Sequence, residues 1–196
     1  MNKQQGNMAS KKSKASEHPK ALYKLRTVTR ISAFVILAVV IVGLLLPTNY
    51  KVERSVTIDS SKQTVMTVLL DGNALPNWMY ISDGRVEAFN GVYTKGRSAT
   101  IHYNKTDKVG SLTITSIGNN QLTFDVKPKP EVDVVRNVIR LQSIGGKTKV
   151  DWLIQGKLRA GLLSPYVALL ANRIAGSNFE RSLDRLKDIV ETKVGQ

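Results

Sequence analysis

The amino-acid sequence predicts an α+β protein: a seven-stranded curved antiparallel sheet around a long C-terminal helix, preceded by one N-terminal transmembrane helix. Three observations predict it. Residues 31–46 are apolar on every helical face, residues 50–59 and 84–158 alternate polar and apolar side chains between turn dipeptides, and residues 162–194 return to helical spacing.

The apolar stretch comes first. Residues 31–46 hold twelve Ile, Val, Leu or Phe and no charge; at about −0.3 to −0.6 kcal/mol each, these favour the bilayer by roughly 4 to 7 kcal/mol. Sixteen residues reach only about 24 Å against a hydrocarbon core of ~30 Å. Counting from Val28 to Tyr50, with Arg30 snorkelling outward and Tyr50 at the far interface, gives a sufficient span. A core helix keeps a polar stripe, which this one lacks. A cleaved signal needs small residues after the apolar run, and here the run ends in Leu44-Leu45-Leu46-Pro47. The expectation is an uncleaved signal anchor over 28–49, between a basic, disordered cytoplasmic tail at 1–27 and an exported domain at 50–196.

Charge sets the orientation. Residues 1–30 carry eight Lys or Arg and one acid, Glu17, so half of the net charge of +14 lies before the span. Positive residues stay on the cytoplasmic side, which puts the C-terminal domain on the extracytoplasmic side of the membrane. In the domain the remaining excess is scattered among acids such as Glu131, Asp133, Asp151, Asp184 and Asp188. That pattern is a solvated surface rather than a nucleic-acid footprint. The absence of cysteine excludes disulfides and cysteine-rich zinc sites.

The domain's elements follow in order. "YKVERSVTID" alternates as a strand with Val52, Arg54, Val56 and Ile58 on one face. Asp59, Ser60 and Ser61 offer helix N-caps before "SKQTVMTVLLD", in which Val65, Val68 and Leu69 share a helical face. "GNALPNWMY" is a break holding a short helical turn at most. Six strands are then expected at "RVEAFN", "SATIHYNKT", "GSLTITSIG", "QLTFDVKP", "VDVVRNVIRLQS" and "TKVDWLIQGKL". They are joined at Asn90-Gly91, Lys95-Gly96, Gly118-Asn119-Asn120 and Gly145-Gly146. From Leu162, the residues Leu170, Ile174, Phe179, Leu183, Leu186, Val190 and Val194 form one stripe, with a break or kink expected at Gly176-Ser177-Asn178. A single stripe against so long a sheet suggests a sheet wrapped around that helix, with a cavity wherever the two do not pack completely.

Four stretches carry a resemblance: "VERSVTIDSSKQTVMTVLLD", "LPNW", "VDWLIQGKL" and "AGSNFERSLDRLK". In their order and spacing the chain, from about Tyr50 to Glu191, resembles the START-like (SRPBCC) superfamily of the helix-grip fold. The nearest likeness is to its membrane-anchored bacterial members of polyketide cyclase/dehydrase type. That family often carries W-x-x-W after its first helices, where this chain has only Trp78. The resemblance implies binding of a hydrophobic or lipid-like molecule between sheet and helix; a few relatives catalyse cyclisation or dehydration.

The residues themselves show no catalytic motif. There is no H-E-x-x-H, phosphate-binding Gly-rich loop or G-x-S-x-G, and no metal or cofactor is expected. His102 alternates with Ile101 and Tyr103, which puts it on the outer face of its strand. Glu53 and Asp59 share a strand face, as solvated carboxylates rather than a catalytic pair. Strand parity turns Tyr103, Phe124, Ile139 and Trp152 inward, together with Asn137, whose buried amide needs a partner or a ligand. Trp78 and Tyr166, in the segments leading into helices, are candidate rim residues. These seven are the candidate ligand-binding residues. The expected function is a membrane-anchored binding protein for an apolar small molecule or lipid. The alternatives are a cyclase/dehydratase-like enzyme and a module that binds an envelope protein partner.

Overall fold

The computed structural model describes residues 18–46, 48–157 and 164–194, with side chains described for all of these except 18–22, 165–175 and 194. The chain divides into an N-terminal unit ending at Val42 and a second unit from Gly43 to Gln196.

The N-terminal unit is built on helix α1 (His18–Leu45). Residues 18–27, expected as part of a disordered tail, are helical, and the helix ends at Leu45 rather than at 49. Its segment Tyr23–Leu45, 23 residues, is long and apolar enough to cross a membrane. At 1.5 Å per residue it reaches about 35 Å, so the length missing from the apolar core is supplied on the N-terminal side and Tyr50 is not needed. Thr27 and Thr29 return their hydroxyls to the carbonyls of Tyr23 and Leu25, at 3.0 and 2.9 Å, which keeps polar groups satisfied within the helix. Phe34 is 74% exposed and Val28, Ile31 and Leu37 are likewise uncovered by protein.

The second unit contains strands β1 (Asn49–Ile58), β2 (Gly84–Val86), β3 (Ser98–Tyr103), β4 (Thr106–Gly118), β5 (Gln121–Lys127), β6 (Val135–Ile144) and β7 (Lys147–Lys157). Helices α2 (Lys62–Leu70) and α3 (Leu75–Trp78) follow β1, and α4 (Ser164–Val194) follows β7. The seven strands form one curled antiparallel sheet in the order β1-β7-β6-β5-β4-β3-β2. The first strand thus pairs with the last, and β2 to β7 run as a meander. Gly145 and Gly146, at φ 55° and 83°, make the tight β6–β7 turn that only glycine adopts freely. Strand β2 is shorter than expected because its second half leaves the sheet: Phe89 turns in against Tyr93, edge-on at 4.7 Å between ring centroids.

α2 starts where Ser61 caps it, its Oγ accepting from the Thr64 N–H at 3.2 Å. Val65, Val68 and Leu69 are its buried face. α4 packs along β1 and also touches α2 and α3. Its residues Leu183, Leu186 and Val190 enter a core with Val52, Ile58, Leu112, Leu122, Ile139 and Val150. The expected break at Gly176-Ser177-Asn178 is absent, and the helix runs through. Gly176 serves a different need: a Cβ there would lie 2.0 Å from Nη2 of Arg54. Arg54 projects from the inner face of β1, and its Nε pairs with Oε1 of Glu180 at 2.6 Å. The glycine therefore lets α4 close over an arginine.

Candidate functional site

Helix and sheet do not fill the space between them. A cavity of about 290 Å³ remains, lined by the β-sheet, the Met79–Ser82 segment after α3 and the middle of α4. Larger depressions of about 560 and 650 Å³ lie where Lys51, Arg136 and Lys157, or Lys62 and Asn119, form the walls. The smaller cavity is the one that apolar side chains enclose from both layers.

Trp152 organises it. Its ring meets Phe179 of α4 at 5.1 Å, Trp78 at 6.0 Å and Phe124 at 6.0 Å between centroids, and its Nε1 donates to Oδ1 of Asn137 at 3.1 Å. Asn137 Nδ2 donates to the carbonyl of Val135 at 3.0 Å. The inward amide predicted at this position is thus partnered: it orients the indole, keeps a second N–H beyond these two bonds, and is one of the residues that line the cavity.

Two tyrosines add hydroxyls to the wall. Tyr50 shares the inward parity of Val52, and its ring lies over the facing Gly156, where a Cβ would fall 2.4 Å from the phenol oxygen. Tyr103 ends β3. Burial raises the pKa of both phenols, so they remain neutral hydrogen-bond donors at ordinary pH. A third, Tyr80, is fixed from α4: its backbone N–H donates to Ser182 Oγ at 2.9 Å, and Ser182, fully buried, returns its hydroxyl to the Asn178 carbonyl at 2.9 Å.

Of the seven candidate residues, Tyr103, Phe124, Asn137 and Trp152 line this cavity. Trp78 does not sit at a rim. It ends α3 with 1% exposure and packs edge-on to Trp152, because the helical turn at "LPNW" directs the indole into the core. Its Nε1 is buried without a partner among the described residues. Ile139, fully buried, belongs to the core and not to the cavity wall. The Tyr166 side chain lies outside the described residues. His102 is on the outer face, 3.5 Å from Glu87. Glu53 pairs with Lys51 and Asp59 with Lys147, so the two carboxylates do not form a pair. No cluster of metal-ligating side chains occurs among the described residues.

Sequence reasoning missed Tyr50, Tyr80 and the residues flanking Tyr80. Parity with Val52 would have found Tyr50. Nothing local marks Tyr80, whose position depends on Ser182, a hundred residues further along.

No family model matches the chain, and no curated protein matches it. Solved structures do. Protein CV1439 from Chromobacterium violaceum is 10% identical with a TM-score of 0.56, over 72% of this chain and 96% of that one. SA2116 from Staphylococcus aureus, a protein of unknown function, is 13% identical with a TM-score of 0.56, over 76% and 98%. DynU16, from the dynemicin biosynthetic locus, is 15% identical with a TM-score of 0.51, over 73% of this chain and 48% of that one. At these identities the likeness establishes a shared helix-grip-like fold.

Proposed function

We propose that the protein is a membrane-anchored, extracytoplasmic member of the START-like superfamily that holds an apolar or lipid-like small molecule between its sheet and α4. The observation that carries this reading is the 290 Å³ cavity, whose described wall has aromatic and aliphatic side chains, tyrosine hydroxyls and carboxamides but no ionisable carboxylate, lysine, arginine or histidine. Each methylene buried there contributes about 0.8 kcal/mol. The volume is at the low end of the ~300–1,000 Å³ of small-molecule sites, which suits one chain or ring system. Phenols and carboxamides orient a ligand by hydrogen bonds, whereas a cyclase or dehydratase step calls for a base within reach of the substrate. The kinship in fold with DynU16, from a biosynthetic locus, is what favours that second, enzymatic reading.

Native mass spectrometry of the full chain, released from lipid nanodiscs, tests the binding reading. Wild type carries a small-molecule adduct, and Val135→Phe, which narrows the cavity, loses it while keeping its melting temperature. An adduct equally present in both would place the molecule elsewhere and contradict the reading. The topology has its own check: alkaline phosphatase fused after Gln196 is active if α1 is oriented with its basic end in the cytoplasm, and inactive if it is reversed.

A further inference from the structure

Tyr80 joins the cavity to a pair of cations. The residue is part of the cavity wall, and Arg181 and Arg185, one turn apart on α4, stack against its ring with guanidinium carbons 5.2 and 5.0 Å from the centroid. Arg181 Nη1 donates to the Tyr80 hydroxyl at 3.1 Å. A phenol that accepts in this way keeps its own O–H as a donor. Both arginines are exposed, and among the described residues neither forms an ion pair, although Asp184 and Asp188 lie on the same helix. The acid beside Arg181, Glu180, is engaged by Arg54. Some other surface cations of the domain have counter-ions, Lys105 with Asp83, Lys108 with Glu131, Arg136 with Asp125 and Lys147 with Asp59, while Arg85, Lys95 and Lys127 form no ion pair among the described residues. What sets Arg181 and Arg185 apart is their contact with a residue of the cavity wall. A further cation, Lys129, lies 5.9 Å from the ring of Tyr103, another wall residue.

An apolar cavity without internal charge, bordered by uncompensated guanidiniums, matches a ligand divided the same way. We propose that the cavity takes a single-chain amphiphile with an anionic head. The tail lies against Phe124, Val126 and Val135, and the head receives the Tyr80 O–H with the Arg181 and Arg185 charges behind it. The guanidiniums hold their remaining N–H donors in a planar fork suited to carboxylate, sulfate or phosphate oxygens. This rests on the reading of the cavity as an apolar-ligand site and adds the head group that site prefers.

The chain's two tryptophans, Trp78 and Trp152, both lie in the domain and none lies in α1, so their fluorescence reports on the cavity region alone. Full-length protein in zwitterionic phosphatidylcholine nanodiscs is titrated with ω-bromododecanoate, ω-bromododecanol and ω-bromododecyltrimethylammonium, whose bromine quenches indoles on contact. Protein-free discs correct for partitioning. The carboxylate is expected to bind on the order of tenfold more tightly than the alcohol, and the ammonium more weakly than either. Arg181→Gln with Arg185→Gln removes the preference, so that carboxylate and alcohol bind this variant equally. Equal quenching by carboxylate and alcohol, or a preference that survives the double substitution, overturns the anionic-head proposal and leaves the apolar-ligand reading standing. No quenching by any probe removes both. Discs doped with phosphatidylglycerol separate the sources of the anion: carboxylate binding persists there, and its displacement by the two-chain lipid would overturn the single-chain assignment.

Discussion

At the scale of single residues, Asn137 shows how a polar group inside an apolar site is made stable. Its carboxamide links the Val135 carbonyl to the Trp152 indole, and it is 2% exposed. Asn137→Ala leaves the indole N–H buried and unpaired, which is expected to cost about 1 to 3 kcal/mol, read as a lower urea midpoint with unchanged slope. A midpoint equal to wild type would mean that the indole finds another partner. The inward direction of Asn137 is legible in the sequence from its parity with Ile139 and Leu141; its partner is not, because Trp152 lies on a different strand.

At the scale of elements, the alternation of β1 and β3 to β7 and the stripe of α4 from Phe179 to Val190 were readable because each follows one local period; the side chains of Leu170, Ile174 and Val194, expected on the same stripe, lie outside the described residues. Two of the errors fall where a tertiary contact lies at a residue whose local chemistry says otherwise. Gly176-Ser177-Asn178 has the composition of a helix break, yet α4 continues through it, and Gly176 there leaves room for the Arg54 guanidinium. Trp78 has the composition of a rim residue, yet α3 directs it against Trp152. Gly176→Ala is accordingly expected to displace the Arg54 guanidinium from Glu180 despite the better helix propensity of alanine. The loss should be about 1 kcal/mol or more, and Arg54→Ala in the same chain should abolish most of it. A double-mutant cycle by thermal unfolding measures that coupling. Additive effects would show that the two residues do not meet.

At the scale of the whole molecule, the apolar α1 and the helix-grip domain were both legible, the first from composition and the second from element order. The cavity itself was not. Whether a helix and a sheet leave a void depends on where Tyr50, Tyr80 and Phe179 come to rest together, and no window of sequence contains all three. Part of its wall, at Tyr103, Phe124, Asn137 and Trp152, was accessible through strand parity alone.

The central claim is that this void holds an apolar chain, and the dependence of affinity on chain length tests it most directly. With n-alkanols from hexanol to hexadecanol displacing the quenching probe from nanodisc-embedded protein, affinity corrected for partitioning should rise about fourfold per added methylene. It should level off once the 290 Å³ is filled, near about ten carbons if each takes up a volume similar to the ~30 Å³ of a water. An affinity that is flat across the series, or that climbs without a plateau, would contradict a cavity of this size as the binding site.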